Sequence, residues 1–390
     1  IDVINEKTIL IVHNYYQIPG GEDTVVSNEK NMLEAHGHKV ILYVRNNTEI
    51  KTMSKFQKIL IPITTIFNPR TYNEIKRIIK KEKIDIVHVH NTLNLVSPAV
   101  YYAAVKMKKP VVQTIHNFRM LCPGATFYRN GHICEDCVIK GLVCSLKHKC
   151  YRNSFIQTLG CVISAKIHRF TGIYSKINYI CLTEFNKSKL LQLKQIKPER
   201  VFVKPNFTKN NNDLLLNKQV KNQFLYLGRI EEIKGVKLLI EIWEEFGNSL
   251  PVLKVCGNGP LKNWCLQEIK NKNINNILVT DFLKHDEAMK ELANSKALIL
   301  PTNVYEGFPM TIVEAFSVGT PVICPDMGNS GNLVENGITG FKYKNENELV
   351  QILKSKNYDF SDRIYDIYKK RYTETINYKM ISEIYSEVEK

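Results

Sequence analysis

Two carboxylates eight residues apart, Glu306 and Glu314, lie in the segment 305–323, YEGFPMTIVEAFSVGTPVI. Glu306 falls in a loop after an apolar strand, and Glu314 about two turns into a helix predicted to open near Met310. The unpaired N–H groups of such a helix start, around Met310 and Thr311, form an anion site, so a diphosphate can bind there without a metal. Carboxylates beside it accept hydrogen bonds from hydroxyls, which sugars and ribose supply. Taken alone, the pair reads equally well as a solvated helix residue and an ordinary loop acid.

Neighbouring motifs shift that balance. In LGRIEEIKGV, Arg229 follows a strand and Lys234 comes five residues later, before a helix start near Gly235. Arg binds a pyrophosphate bidentately and Lys acts on it as a point charge. CGNGP, at 256–260, is a further glycine turn after a strand and is weak on its own. Near the N-terminus IPGGE places Gly20 and Gly21 after the first strand, where glycine lets backbone approach a phosphate or a sugar closely. The competing reading there is an ordinary strand-to-helix turn. His116 ends PVVQTIH; a lone His is usually structural, but the carboxyl end of a parallel strand is where small-molecule sites form.

Five cysteines, Cys122, Cys134, Cys137, Cys144 and Cys150, follow His116 directly. The C-x2-C at Cys134 and Cys137 has zinc-knuckle spacing, and two of the remaining three complete four ligands. The favoured set is Cys122, Cys134, Cys137 and Cys150, with Cys144, His132 and His148 as alternatives. Four thiolates leave no open coordination position, so the expected Zn²⁺ is structural and rigidifies a loop. Reduced thiols or a disulfide are the other readings, the disulfide being disfavoured in a reducing cytosol.

These residues need elements to hold them. Strands read as near-continuous apolar runs (KTILIVHNY, HKVILYV, IDIVHVH, PVVQTIH, INYICLT), alternating with helices over 22–36, 71–81, 98–106 and 155–174 and one from 184. That alternation predicts an α/β domain with a parallel sheet. FTKNNNDLLLNKQ reads as a linker, after which NQFLYLG, VLKVCG, NILVT, ALILP and PVIC repeat the pattern. The expected domains are 1–210, with the cysteine-rich insertion at 117–153, and 211–360. Helices over 361–390 are expected to return toward the first domain.

At 390 residues the chain has room for two cores and the cleft that paired α/β domains create. Residues 1–210 carry 32 Lys and Arg against 14 Asp and Glu, so the whole net charge of +16 sits in the first half. This half is expected to face something anionic: nucleic acid, a lipid surface or a pyrophosphate-linked acceptor. A solvated basic face is the plain alternative. The apolar, basic stretch KFQKILIPITTIFNPR at 55–70 points to an anionic membrane surface. IDVINEKTILIVHN lacks the basic region, long apolar core and small-residue cleavage site of a signal peptide, so a cytoplasmic protein is expected, peripheral at the inner face of the plasma membrane.

The ordered set of strand-GR-x4-K-G, GNGP, E-x7-E and NGITGFKY resembles the retaining GT-B glycosyltransferases of group 1, or family 4, along nearly the whole chain. The resemblance implies two Rossmann-like domains facing each other across a cleft, and transfer of a sugar from a nucleotide diphosphate donor, with UDP the commonest base. It implies that Arg229 and Lys234 neutralise the diphosphate, that Glu314 holds the ribose and that Glu306 contacts the transferred sugar. The backbone at Phe308, Pro309, Met310 and Thr311 would complete the phosphate site, with Gly20 and Gly21 as the glycine loop and His116 near the sugar. No metal is then required at the reaction centre. A lipid-linked or polysaccharide acceptor of the cell envelope is expected. A phosphorylase or nucleotide-sugar epimerase on this fold is an alternative. A nucleic-acid-binding zinc protein is another, but no recognition module with interleaved basic and aromatic residues is present, and nucleic acid is not expected as a partner.

Overall fold

The computed structural model describes residues 6–17, 20–354 and 357–390. They fall into two compact units. One comprises residues up to Phe127, Cys134–Pro205 and Asn377–Lys390; the other comprises Tyr128–Ile133 and Asn206–Ile376.

The strands of the N-terminal half are β1 (Thr8–Tyr15), β2 (Lys39–Asn46), β3 (Ile86–Val89), β4 (Val111–Ile115), β5 (Tyr128–Arg129), β6 (His132–Ile133), β7 (Asn178–Cys181) and β8 (Val201–Val203). Six of them form a parallel sheet in the order β2-β1-β3-β4-β7-β8. β3, β4 and β7 are buried along their whole length, as central strands covered on both faces must be, which is why they read as unbroken apolar runs. β2, at the edge, is mostly exposed or half-buried. β5 and β6 pair antiparallel as a small separate ribbon.

The second unit repeats the architecture with β9 (Gln223–Leu227), β10 (Val252–Cys256), β11 (Ile277–Thr280), β12 (Ala297–Ile299), β13 (Val322–Pro325) and β14 (Gly340–Tyr343). All are parallel, in the order β11-β10-β9-β12-β13-β14. Alternate residues of β9 feed two cores: Phe224 and Tyr226 pack with Trp243 and Val255, whereas Leu225 and Leu227 pack with Phe316 and Leu298. β8 and β14 were not read as strands in the sequence; both are short and lie at a sheet edge.

In each sheet the strand order reverses once, and crevices open at such switch points beyond the carboxyl ends of the strands. The reversals fall between β1 and β3 and between β9 and β12.

The Asn- and Lys-rich segment after β8 is a folded part of the second unit. Phe207 and Thr208 are buried, and Asn212–Leu216 is a short helix. The Tyr368 hydroxyl donates to the Thr208 carbonyl at 3.0 Å, and Asn211 Nδ2 to Ser317 Oγ at 3.0 Å. Its polar residues masked the few apolar ones that anchor it. The helix Ser361–Arg371 packs Ile364 and Tyr368 into the second unit. From Asn377 onward the last helix belongs to the first unit, where Tyr378 meets His38 at 3.0 Å and Tyr385 meets His88 at 2.7 Å. Among the described residues no helix is long and apolar enough to cross a membrane.

Candidate active site

In the second unit, the predicted residues collect where β9 and β12 end. The chain leaving β9 turns through Glu232–Lys234 to Gly235, whose φ is +73°. A Cβ there would lie 1.8 Å from the Pro301 carbonyl oxygen, so only glycine lets the turn after β9 press against the end of β12. That approach delivers Lys234 Nζ to 2.7 Å and 2.9 Å from the two carboxylate oxygens of Glu306. Thr302 Oγ1 donates to the same Oε1 at 2.8 Å. The loop bearing Glu306 is tied down by Asn329 Nδ2, which donates to the carbonyls of Glu306 and Gly307.

Arg229 differs from Lys234. Its carbonyl accepts from the Tyr226 hydroxyl at 2.6 Å, but its guanidinium is 61% exposed and lies 3.3 Å from Glu231. The helix Met310–Ser317 opens after Pro309, and the first N–H groups of a helix have no intrahelical partner. Phe308 packs against the core below. Glu314 is carried on this helix, largely buried, with one oxygen 3.8 Å from His285 Nδ1. Burial pushes its pKa above the usual carboxylate range, and His285 opposes part of that rise.

Gly20 and Gly21 begin the helix Gly21–Ala35 of the first unit; Ile18 and Pro19 of IPGGE lie outside the described residues. Gly20 is extended (φ −130°) and donates its N–H to Asp23 Oδ2 at 3.0 Å. A Cβ at either glycine would meet nothing within 4 Å, so internal packing and backbone strain demand glycine at neither position. Beside this turn Asp23 Oδ1 lies 2.8 Å from His13 Nε2, and Glu22 accepts from the Tyr16 hydroxyl at 3.1 Å. Burial drives the Glu22 carboxyl up to about 8, with Asp23 adding to the rise and Tyr16 and Arg119 opposing it.

His116, just beyond β4, lines a pocket of the first unit with His90, Asn91, Asn117, Arg119 and Tyr174. Behind it runs a buried polar chain. Lys204 Nζ is 3.1 Å from Glu29 Oε2; Glu29 Oε1 is 3.0 Å from His88 Nδ1 and 3.3 Å from His90 Nε2; His90 Nδ1 is 2.9 Å from His116 Nε2. Burial alone would raise the Glu29 pKa, but the Lys204 ammonium and the imidazoles hold it well below its usual range. Burial lowers His90 to about 4 and His116 far below its ordinary value, so both rings are neutral at pH 7.

A neutral ring has one N–H. The anion at Glu29 favours the proton on His90 Nε2, which leaves His90 Nδ1 as an acceptor. In that tautomer His116 donates through Nε2, and its Nδ1 carries a lone pair. Glu29, His88 and His90 each bring a ligand atom to within 4.8 Å of the others, a spacing suited to a metal ion. The cation that Glu29 already holds is the ammonium of Lys204.

Thr302, Asn329, His285, Glu29, His88, His90, Lys204 and Arg119 escaped the sequence reading. Two signals were available. Glu29 interrupts the apolar stripe Val25, Met32, Leu33 of its helix, and His88 and His90 in IDIVHVH are spaced to share one side of an extended chain.

Residues 208–356 match the family model described as glycosyl transferases group 1, and residues 19–132 match glycosyltransferase family 4. Glycogen synthase of Mycobacterium tuberculosis is 31% identical over 123 residues, which is 30% of this chain and only 29% of that enzyme's length. The gpi3 subunit of phosphatidylinositol N-acetylglucosaminyltransferase from Schizosaccharomyces pombe is 21% identical, covering 89% of this chain and 72% of the relative. The crystal structure of Anabaena HepE in complex with UDP has the same fold, with a TM-score of 0.66 and 16% identity over 97% of this chain and 99% of HepE. Solved structures of this kind are GT-B glycosyltransferases, and the two parallel-sheet halves described above are that fold.

Proposed function

We propose that this chain, whose two halves match the models of the group 1 and family 4 glycosyltransferases, moves a sugar from a UDP-sugar to a lipid-linked or polysaccharide acceptor with retention of configuration. The observation that carries this reading is the pairing at the β9/β12 switch point of Lys234, from the turn after β9, with Glu306, in the loop leading to the helix start at Met310. Arg229, Lys234 and the N–H groups of Met310 and Thr311 neutralise the diphosphate as it departs. Glu306, oriented by Thr302, accepts from a hydroxyl of the transferred sugar, and Glu314 accepts from the ribose. The acceptor oxygen bonds to the anomeric carbon on the face from which the phosphate oxygen leaves, and the acceptor proton passes to that departing oxygen. His116, in the tautomer with Nδ1 unprotonated, accepts a hydrogen bond from the sugar. Gly20 and Gly21, with open space where Cβ atoms would be, leave room for a ligand against the backbone. The relatives' names point the same way: the gpi3 enzyme acts on a phosphatidylinositol and HepE was crystallised with UDP.

A membrane-borne acceptor is supported by the surface of the first unit. Lys55–Ile66 exposes Phe56, Ile59 and Ile63, and its packing partner Phe155–Phe170 exposes Ile156, Ile163, Ile167 and Phe170. Lys55, Lys58 and Lys166 flank these apolar residues. An apolar face edged by lysine suits the interface of an anionic bilayer at the inner face of the plasma membrane. Cosedimentation should show the protein on phosphatidylglycerol vesicles and not on phosphatidylcholine, with Phe56→Ser plus Ile63→Ser releasing it. Absence from both kinds of vesicle sinks the membrane reading. Product analysis with UDP-, GDP- and ADP-sugars tests the reaction itself: a new glycosidic product from one donor supports it, and an epimerised nucleotide sugar or phosphate-dependent sugar release overturns it.

A further inference from the structure

We infer that Glu29 is a positioning residue for His116: acting through His90, it decides which His116 nitrogen offers a lone pair to the pocket.

The carboxylate is oriented from behind. Glu29 is buried on the helix Gly21–Ala35, and its Oε2 lies 3.1 Å from Lys204 Nζ. That ammonium also donates to Asn377 Oδ1 at 2.9 Å, and Asn377 Nδ2 in turn donates to the Pro205 carbonyl at 2.6 Å. Oε1 is left turned toward the imidazoles. His88 Nδ1 lies 3.0 Å from it, but both nitrogens of His88 are already engaged: Nδ1 with the Tyr385 hydroxyl at 2.7 Å and Nε2 with Thr114 Oγ1 at 2.7 Å. Glu29 Oε1 and His90 Nε2 face each other at 3.3 Å, both buried away from water, and neither has a hydrogen-bond partner elsewhere among the described residues.

An anionic oxygen and a ring nitrogen so placed have one favourable arrangement, with the proton on His90 Nε2 and directed at the carboxylate. With the proton on Nδ1 instead, the Nε2 lone pair would face a charged oxygen, and both atoms would stay unsatisfied where the medium screens poorly. Burial keeps His90 neutral at pH 7, so the ring has a single proton to place. His90 Nδ1 then accepts from His116 Nε2 across 2.9 Å. His116 lines the pocket, and its Nδ1 has no hydrogen-bond partner among the described residues.

Stability alone does not ask for this arrangement. A buried ion pair is often no more stabilising than apolar side chains of like volume, and Val25, Met32 and Leu33 on the same helix are such side chains. Apolar packing cannot choose between tautomers, because the two forms of an imidazole have the same shape; a charge can. The relay itself does not depend on the glycosyltransferase reading. The use of the His116 lone pair on a sugar does rest on it.

The test is ¹⁵N NMR of the full chain labelled at histidine, with His116→Gln to assign the His116 signals. The unaltered protein should show His116 with its proton on Nε2; a proton on Nδ1 overturns the proposal. In Glu29→Gln the amide oxygen stays with the Lys204 ammonium and the NH2 group turns to His90 Nε2, which must then accept. The ratio of Nε2–H to Nδ1–H on His116 should fall about tenfold or more, the scale of one hydrogen bond to a charged group. An unchanged ratio overturns the proposal. Because Glu29→Gln can also lose stability, the measurement is repeated in Glu29→Gln with Lys204→Met, where both buried charges are gone. A purely structural role predicts that the ratio recovers there along with the stability; positioning predicts that it does not, since no anion faces His90. With the best donor, kcat/KM of this double variant should fall about tenfold, the scale of one lost hydrogen bond. A shifted tautomer with an unchanged rate overturns the role of Glu29 in transfer and leaves Lys234 and Glu306 untouched. The spectra need no donor or acceptor, so failure of the relay and failure of the enzymatic reading are distinguishable.

Discussion

Lys234 and Glu306 form a two-pronged ion pair, with Nζ 2.7 Å and 2.9 Å from the carboxylate oxygens, and Thr302 holds Oε1 from the other side. The pair keeps each side chain extended at the mouth of the switch point before any ligand arrives, so little rotamer entropy is left to lose on binding. In the donor-site reading proposed above, a diphosphate beside Lys234 would take part of its charge and free lone pairs on Glu306 for a hydroxyl, which would couple the two groups.

Lys234→Ala removes the cation and leaves Glu306 unpaired and repelling the donor diphosphate. We expect kcat/KM to fall about 100-fold or more, the scale on which one preorganised electrostatic contact acts, with a smaller loss in Lys234→Arg. Initial rates with the best donor measure this, and circular dichroism checks that the fold is kept. Less than a threefold loss in Lys234→Ala would remove Lys234 from the donor site.

Glu314→Gln should raise the donor KM about 10-fold while leaving kcat near wild type, because a ribose contact binds ground state and transition state alike. Burial raises the Glu314 pKa, so the carboxylate form fills in as pH rises, and wild-type donor affinity should rise with it. The amide variant should be flat. Calorimetric titration of UDP at several pH values distinguishes the two curves; parallel curves would deny Glu314 a place at the ribose.

Much of this was legible in the sequence because the signals are local. Gly235, Lys234 and Glu306 sit in turns whose chemistry is written in a few residues, and the buried parallel strands announce themselves as apolar runs. What was hidden depends on distant pairing. Lys204 and Glu29 are 175 positions apart, and only folding shows that one neutralises the other. Tyr385, 297 positions from His88, reaches it because the chain returns to the first unit at Asn377. The folded character of the segment after β8 was hidden by composition: Lys209, Asn210 and Asn217 are exposed, whereas Phe207 and Thr208 are buried.

Glu29→Gln leaves the Lys204 ammonium buried with neutral acceptors in place of its counter-charge: the amide oxygen at position 29 and Asn377 Oδ1, at 2.9 Å. Breaking a buried pair on one side costs about 3–5 kcal/mol, so the first unit should lose roughly 5–20 °C in Tm. Lys204→Met combined with Glu29→Gln should recover most of that loss, since both charges are then gone. The folded pKa of Glu29 is depressed, so its stabilisation is present above the unfolded carboxylate value near 4.5 and is lost as pH falls through the lower folded value. Calorimetry of both variants decides: a double variant as unstable as the single one would show that the ion pair is not the reason Glu29 is needed.

Glu22 makes the opposite prediction. Its folded pKa is raised to about 8 against an ordinary 4.5. Below pH 4.5 the folded and unfolded states both hold the proton and its effect on stability is nil. As pH rises toward 8 the unfolded chain ionises while the folded carboxyl resists, so stability falls progressively and levels off above the folded pKa. Burial sets this first; Tyr16, donating at 3.1 Å, and Arg119 oppose the rise, and Asp23, next in sequence, adds to it. A shift of this size corresponds to an upper limit of about 5 kcal/mol; the Glu22 side chain is 11% exposed, which brings the expected figure to a few kcal/mol. The amide introduced by Glu22→Gln resembles the protonated acid at every pH. The first unit should therefore melt several degrees higher in Glu22→Gln than in wild type at about pH 9, and at nearly the same temperature at about pH 5. Coincident melting curves at both pH values would mean that Glu22 ionises as freely folded as unfolded.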